Sequence, residues 1–261
     1  MVFEKLESIF EIEVQYTTLS CLAIHSGKSS AYSILDQPIV RIGGTPVIPG
    51  SSLKGALRSI TESLFSKHNI GVCVPEASIP KDIKRSRRVD EYVKKLGRIN
   101  PCDPSKNGPV CPVCEIFGSA SLSGRAIFTD ARPTSTILPI KRNHVAITRD
   151  TRAQADGSLM EFEAIDKDAE FRGIIRVINP EAWQIGAIIS ALDTLKMVGL
   201  GSKKTAGYGD IDVKIIGITK KDFGKNGWET ESLSPEKEAY IQAFSQKLDS
   251  KSSTGSTVDT A

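Results

Sequence analysis

A chain of 261 residues with 39% hydrophobic and 25% charged residues has ordinary globular composition, which excludes collagen, a coiled coil and wholesale disorder. No run approaches the roughly 20 apolar residues a spanning helix needs, and Met1-Val2-Phe3-Glu4-Lys5 lacks the basic-then-apolar layout of a signal peptide, so a soluble cytoplasmic protein is expected. The net charge of +3 hides an asymmetry: in residues 229–261 Lys237, Lys247 and Lys251 stand against Glu229, Glu231, Glu236, Glu238, Asp249 and Asp259, leaving a more basic body that is compatible with a polyanionic ligand.

From Ile9 to Leu19, Phe10, Ile12, Val14 and Tyr16 alternate with Glu11, Glu13 and Gln15, the period of two of a half-buried strand. A breaker-rich stretch follows, from Ser26 through Pro38, Gly43, Gly44, Pro46 and Pro49 to Gly50, and predicts mostly irregular chain. Then comes a helix. Ser51 or Ser52 is suited to cap it, and Leu53, Ala56, Leu57, Ile60, Leu64 and Phe65 recur at helical spacing with Lys54, Arg58 and Thr61 on other faces. The Gly50–Gly55 spacing invites comparison with a nucleotide-binding P-loop, but Ala56 stands where that motif needs Lys, and the comparison fails.

Residues 67–116 break the pattern with Pro75, Pro80, Pro101, Pro104, Pro109 and Pro112, and with eight basic residues between Lys81 and Arg98. Four of the five cysteines lie here, a distribution that suits a metal site in a reducing compartment better than a disulfide framework. Cys111-Pro-Val-Cys114 supplies two thiolates for one tetrahedral ion, Cys73 and Cys102 complete four ligands, and His68 is the substitute. A structural zinc ion is expected, because a segment of this composition lacks a hydrophobic core of its own.

Strands resume at Arg125–Asp130 and across Leu159–Ile178, separated by a long basic segment, residues 132–157. Pro180 opens a second helix with Trp183, Ala187, Ile188, Ala191, Leu192 and Leu195 as its apolar stripe, stopped by Gly199 or Gly201. A last strand runs through Ile211, Val213 and Ile215. The order predicts an α+β protein built on a ferredoxin-like β-α-β-β-α-β unit, one domain over residues 1–230 with insertions after the first helix and between the central strands. An amphipathic helix from about Pro235 to Leu248, within a C-terminal segment 231–248, and a disordered Ser/Thr-rich tail at 249–261 complete the expectation.

Two segments suit phosphate. Lys54 and Arg58 share a helix face, and Ser51 and Ser52 bring hydroxyls and amides to the helix N-terminus, forming a cradle. The glycine-rich run from Gly199 to Gly209 fails the dinucleotide fingerprint, since it follows a helix and places Lys204 at the third glycine. Its other use is backbone approach to phosphates or to another chain, with Lys203 and Lys204 adding charge.

Taken in order, Ile48-Pro-Gly-Ser-Ser-Leu-Lys-Gly-Ala-Leu-Arg58, Cys114-Glu-Ile-Phe-Gly-Ser119, Arg125-Ala-Ile-Phe-Thr-Asp130 and the run Gly199–Gly209 closely resemble the RAMP superfamily. They look most like the repeated backbone subunit of Csm-type, type III CRISPR effector complexes. Ile147-Thr-Arg-Asp-Thr-Arg-Ala-Gln-Ala-Asp-Gly-Ser-Leu159 is similar to the family's Ile-Asp-Arg-x-Thr-x-x-Ala-x-x-Gly-x-Leu, and the resemblance covers about residues 5–218.

The resemblance implies an RRM-related, ferredoxin-like palm, which here carries the zinc-binding insertion read above at 67–116, and a long thumb hairpin, here residues 132–157. It also implies an antiviral ribonucleoprotein in which copies of the subunit, with other RAMP subunits, line a guide RNA, with no membrane partner. In the family the thumb displaces one nucleotide pair of the guide–target duplex at regular intervals, and an aspartate cleaves the single-stranded target RNA there. Leu35-Asp36-Gln37-Pro38-Ile39 matches the family's Ile-Asp-x-Pro-Val, which assigns Asp36. Attack by the RNA's own 2′-hydroxyl needs an in-line geometry that stacked A-form RNA lacks, and a carboxylate beside the displaced nucleotide accepts the proton or holds Mg2+ or Mn2+. The loop before Asp36 is shorter and less glycine-rich than the family form, which leaves the roles of His25 and Lys28 open. Guide-RNA contacts are expected at Ser51, Ser52, Lys54 and Arg58, at the thumb residues Lys141, Arg142, Arg149 and Arg152, and at Gly199, Gly201, Lys203, Lys204, Gly207 and Gly209. Two other readings stay open: a catalytically silent guide-RNA scaffold of the same type of complex, and a guide-processing nuclease of the same superfamily, which would usually need a histidine or tyrosine site.

Overall fold

Alternation along the first strand decides the layering. In β1 (Ser8–Thr18), Phe10, Ile12, Val14 and Tyr16 are buried on one face while Glu13 is exposed on the other. The computed structural model describes residues 5–27, 36–86, 88–106, 110–224, 227–233 and 237–252; Lys28, Pro235 and residues 253–261 lie outside them.

A small ribbon of β2 (Arg41–Ile42) and β3 (Thr45–Pro46) leads into α1 (Gly50–Lys67). The helix starts earlier than its serines suggest. Pro49 is the N-cap and provides no side-chain cap, so Ser51 and Ser52 sit inside the first turn. The capping role passes to a distant residue: Asp130 Oδ1 accepts the Gly50 amide at 2.8 Å. Gly50 is required there, because a Cβ would collide with the Phe128 carbonyl.

The insertion holds α2 (Lys81–Arg85), α3 (Val89–Lys95) and α4 (Pro112–Phe117). It does have a core of its own, contrary to expectation. Val74, Ile79 and Val93 are buried together, with Ile83, Val89 and Tyr92 packed against them, an apolar set scattered too widely among prolines and lysines to read as one face. The four clustered cysteines belong instead to the main core.

After β4 (Ala126–Phe128), β5 (Arg132–Pro133) and β6 (Ile140–His144), the expected single strand Leu159–Ile178 divides into β7 (Met160–Ala164) and β8 (Glu170–Ile178). The break is local: Asp168 adopts a left-handed φ of 64° in the turn between them. β7 pairs with β6 in a separate two-stranded antiparallel sheet, so the hairpin stem is 140–144 with 160–164, while β8 joins the main sheet.

α5 (Ala182–Val198) ends at Gly199, and β9 (Ile211–Gly224) continues into β10 (Gly227–Leu233) and α6 (Lys237–Ser252). The C-terminal helix therefore takes in residues 249–252, which the sequence assigned to the tail. The main sheet runs β10-β9-β1-β8-β4, with β5 also on β8, and every pairing is antiparallel. α1 and α5 pack on each other, α1 touching β4 and α5 touching β9, and Leu53, Leu57, Ile188 and Leu192 join Ile12 and Val14 in one core. α6 packs against α5 at Gly186, where a Cβ would strike the Tyr240 carbonyl. None of the described helices is long and apolar enough to cross a membrane.

Candidate functional site

Cys73, Cys102, Cys111 and Cys114 converge although the chain spreads them over 41 positions. All four are buried, and their sulfurs lie within 4.8 Å of one another. Tetrahedral zinc with bonds of about 2.3 Å needs sulfurs about 3.8 Å apart, so this donor set fits a thiophilic metal such as zinc. His68, the C-cap of α1, is not among the four donors that gather here. Local hydrogen bonds already suit thiolates: the Cys111 amide donates to Cys102 Sγ at 3.2 Å, and the Cys114 amide donates to Cys111 Sγ at 3.4 Å as the cap of α4. The Cys111 thiol is held down because the Cys114 and Cys73 thiols donate to it, and that same donation pushes Cys73 up to about 12.

Beside this cluster, two cavities of about 690 and 810 Å³ share Lys54, Phe117, Ser119, Ala120 and Ser121. The first reaches Cys73 and Cys102, and the second reaches Gly50, Ser51 and Phe128. Lys54 stands at their junction with no ion pair among the described residues; burial, then the charge of Arg58, pulls its ammonium below the ordinary value. Ser51 is exposed at the helix start. Asp130 partly fills the role an incoming phosphate would take at that N-terminus. Arg58, one turn on, is committed to protein: Nε donates to Glu62 at 2.9 Å, Nη1 to the Gly118 carbonyl at 2.7 Å and Nη2 to Cys114 Sγ at 3.4 Å.

The β6–β7 hairpin carries the second group. Asp36 Oδ2 accepts the Glu161 amide at 2.9 Å, and the Asp36 amide donates to the Glu161 carbonyl at 3.1 Å, which fixes an exposed carboxylate on the stem. Glu163, two residues on, is held below the ordinary carboxylate range chiefly by the Arg41 guanidinium, in a fork of 2.7 and 2.9 Å. Between them the Phe162 side chain is fully buried, surrounded by His25, His144 and Tyr208, with Lys203 Nζ 4.7 Å over its ring. His144 Nε2 and the Tyr208 hydroxyl are 3.1 Å apart. His25 is wedged against the Glu163 carbonyl and Ser202, and burial lowers its pKa. Lys141 and Arg142 are exposed on β6, Arg142 donating to Cys21 Sγ at 3.2 Å, and Arg149 and Arg152 are exposed at the hairpin tip.

The glycine-rich run packs on itself and on residues 22–24. Gly199, Gly201, Gly207 and Gly209 all have φ between 70° and 88°, and a Cβ at Gly209 or Gly201 would collide with the Leu200 or Ala23 carbonyl. Lys203 leaves this run toward Phe162, and Lys204 lines a third, smaller cavity between α1 and α5. His144, Phe162 and Tyr208 were not singled out by sequence reasoning, because their meeting joins β6, β7 and the loop before β9. Asp130 had a legible signal, a carboxylate ending a strand motif, but nothing local points it at Gly50.

No curated protein matches the chain. The model of the RAMP superfamily matches residues 15–212, from within β1 to the start of β9, and so takes in the cysteine centre, α1, the hairpin and the glycine-rich run. With three quarters of its length accounted for in this way, the chain belongs to the RAMP superfamily, a family of CRISPR-associated RNA-binding subunits.

Proposed function

We propose that this chain is the guide-RNA-binding backbone subunit of a Csm-type, type III CRISPR interference complex, and that it cleaves complementary target RNA with Asp36 as the acting carboxylate. The strand order β9-β1-β8-β4, with α1 and α5 packed together against it, supports reading the main sheet as a ferredoxin-like, RRM-related palm. The β6–β7 hairpin then corresponds to the thumb, with 132–157 covering one stem strand and the tip. The palm with its two insertions makes one domain, which β10 (Gly227–Leu233) extends and to which α6 (Lys237–Ser252) is the helical appendage.

The observation that carries the catalytic reading is the seat of Asp36. Its carboxylate is exposed, tethered through Oδ2 to the stem of the hairpin, and Oδ1 takes no partner among the described residues. A nucleotide pushed aside by the hairpin passes this group. The carboxylate would accept the 2′-hydroxyl proton as the 2′-oxygen bonds phosphorus and the P–O5′ bond breaks, leaving a 2′,3′-cyclic phosphate and a 5′-hydroxyl protonated by solvent. A hydrated Mg2+ or Mn2+ ion held by Asp36 would supply charge stabilisation there. Guide RNA runs along Ser51, Ser52 and Lys54 and the exposed cations of the hairpin, with the glycine-rich run and Lys203 and Lys204 beside it. The cysteine centre holds zinc and staples the insertion, with Arg58 of α1 donating to the Cys114 sulfur. The complex acts in the cytoplasm, with further copies of this chain and other RAMP subunits as neighbours.

The deciding experiment assembles the guide-loaded complex with wild-type or D36A subunit and follows labelled complementary RNA with a divalent ion present. Cuts at regular intervals that vanish in D36A while target binding persists support the nuclease. A wild-type complex that binds target and never cuts makes the chain a silent scaffold.

A further inference from the structure

We propose that Arg58 is a positioning residue of the metal centre: its guanidinium offsets the charge of a four-thiolate site and ties that site to the serine loop beside Lys54, which removes it from the RNA-contact set. This rests on reading the four cysteines as a metal site.

Four thiolates around a divalent ion leave a net charge of −2, which is costly below the protein surface unless cations and N–H donors face the sulfurs. Two donors to sulfur are backbone amides, those of Cys111 and Cys114. Arg58 Nη2 is the third and the charged one, 3.4 Å from Cys114 Sγ. The Arg58 side chain is 18% exposed, and its Nε and Nη1 donate to Glu62 and to the carbonyl of Gly118. Gly118 leads into Ser119, Ala120 and Ser121, which line both cavities. Glu62 in turn accepts Arg98 of the insertion at 3.3 Å. One guanidinium thus joins the thiolate, the loop and, through Glu62, the insertion. Each of the three guanidinium nitrogens of Arg58 already donates to protein, whereas Lys54 offers an ammonium with no ion pair among the described residues.

Competition of the full-length protein for zinc against a chromophoric chelator tests this. R58A and R58Q are expected to bind zinc about 10- to 100-fold more weakly than wild type, as for other residues that support metal ligands, and R58K, which keeps the charge, should lose less. Cobalt substitution gives a second readout: R58Q should alter the sulfur-to-cobalt charge-transfer band, which loss of a surface cation would leave unchanged. If R58A does not fold, R58Q and R58K decide. Zinc affinity of R58Q equal to wild type, with RNA affinity reduced, overturns the proposal and returns Arg58 to the RNA. A wild-type protein that takes up no zinc overturns both this proposal and the metal reading beneath it, and is distinguished from the first failure by the wild-type titration alone.

Discussion

Asp36 and the Glu161 main chain hold each other by two hydrogen bonds, one from the Glu161 amide to Asp36 Oδ2 at 2.9 Å and one from the Asp36 amide to the Glu161 carbonyl at 3.1 Å. Asn at position 36 keeps an acceptor oxygen for that amide and loses only the charge. D36N should therefore unfold with wild-type stability and bind guide and target RNA normally, while cleavage falls by about 100-fold or more. D36A should lose about 1 kcal/mol in addition, the contribution of one hydrogen bond. Denaturant unfolding beside single-turnover cleavage separates the two effects.

Lys54 should carry a phosphate contact. In K54A, affinity for single-stranded guide RNA should drop, and the slope of log affinity against log salt should become shallower by about 0.7, one phosphate's share on a single strand. An unchanged slope would place Lys54 off the RNA path.

Removing metal should destabilise the fold. At free zinc about 1,000 times Kd, binding contributes about 4 kcal/mol, so a strong chelator should lower the melting temperature by several degrees. The double variant C111S/C114S should melt at the lower temperature with or without zinc.

Asp130 should matter for stability because it caps the helix start beside Ser51. D130A leaves the Gly50 amide unpartnered and should cost about 1 kcal/mol in urea unfolding, the usual worth of a helix cap. G50A should cost more, since the Phe128 carbonyl has to move.

Glu11 sets part of the acid limit. Lys221 and Arg176 hydrogen-bond its carboxylate at 2.5 and 2.6 Å and hold its pKa below the ordinary 4.5. A depressed carboxylate stabilises the fold fully above that ordinary value, and the contribution fades as pH falls through the lower folded value. Both cations are about a third exposed or more, so E11Q should cost only about 1 kcal/mol at neutral pH. The gap between E11Q and wild type should close in acid, as unfolding curves from pH 7 down to about 2 would record.

What could be read from the sequence was whatever repeats over a short range. β1 announced itself because Phe10, Ile12, Val14 and Tyr16 recur every second residue, and α5 because its apolar stripe starts after a proline and stops at Gly199. β10 did not, since Trp228-Glu-Thr-Glu-Ser forms an edge strand with little buried surface and hence no alternation to see. The cysteines were legible as a set because few other residue types cluster for that chemistry. Arg58 was legible as a helix-face cation, but its partners Gly118 and Cys114 lie 60 and 56 positions away, a distance at which spacing carries no information.

The cap on α1 also bears on how the chain is made. Gly50 waits for Asp130, 80 residues downstream, and β1 waits for β8 and for the strand that ends at Gly224. As the polypeptide leaves the ribosome, its first strand emerges with its edges bare until β8 and β9 follow in the second half of the chain, and its first helix waits for α4 and Asp130 near the midpoint. Pairings of such long sequence separation form slowly and leave apolar surface open in the meantime. The cysteine centre completes early, by residue 114, so metal supplied during synthesis would close the insertion on itself while most of the main sheet is still being translated.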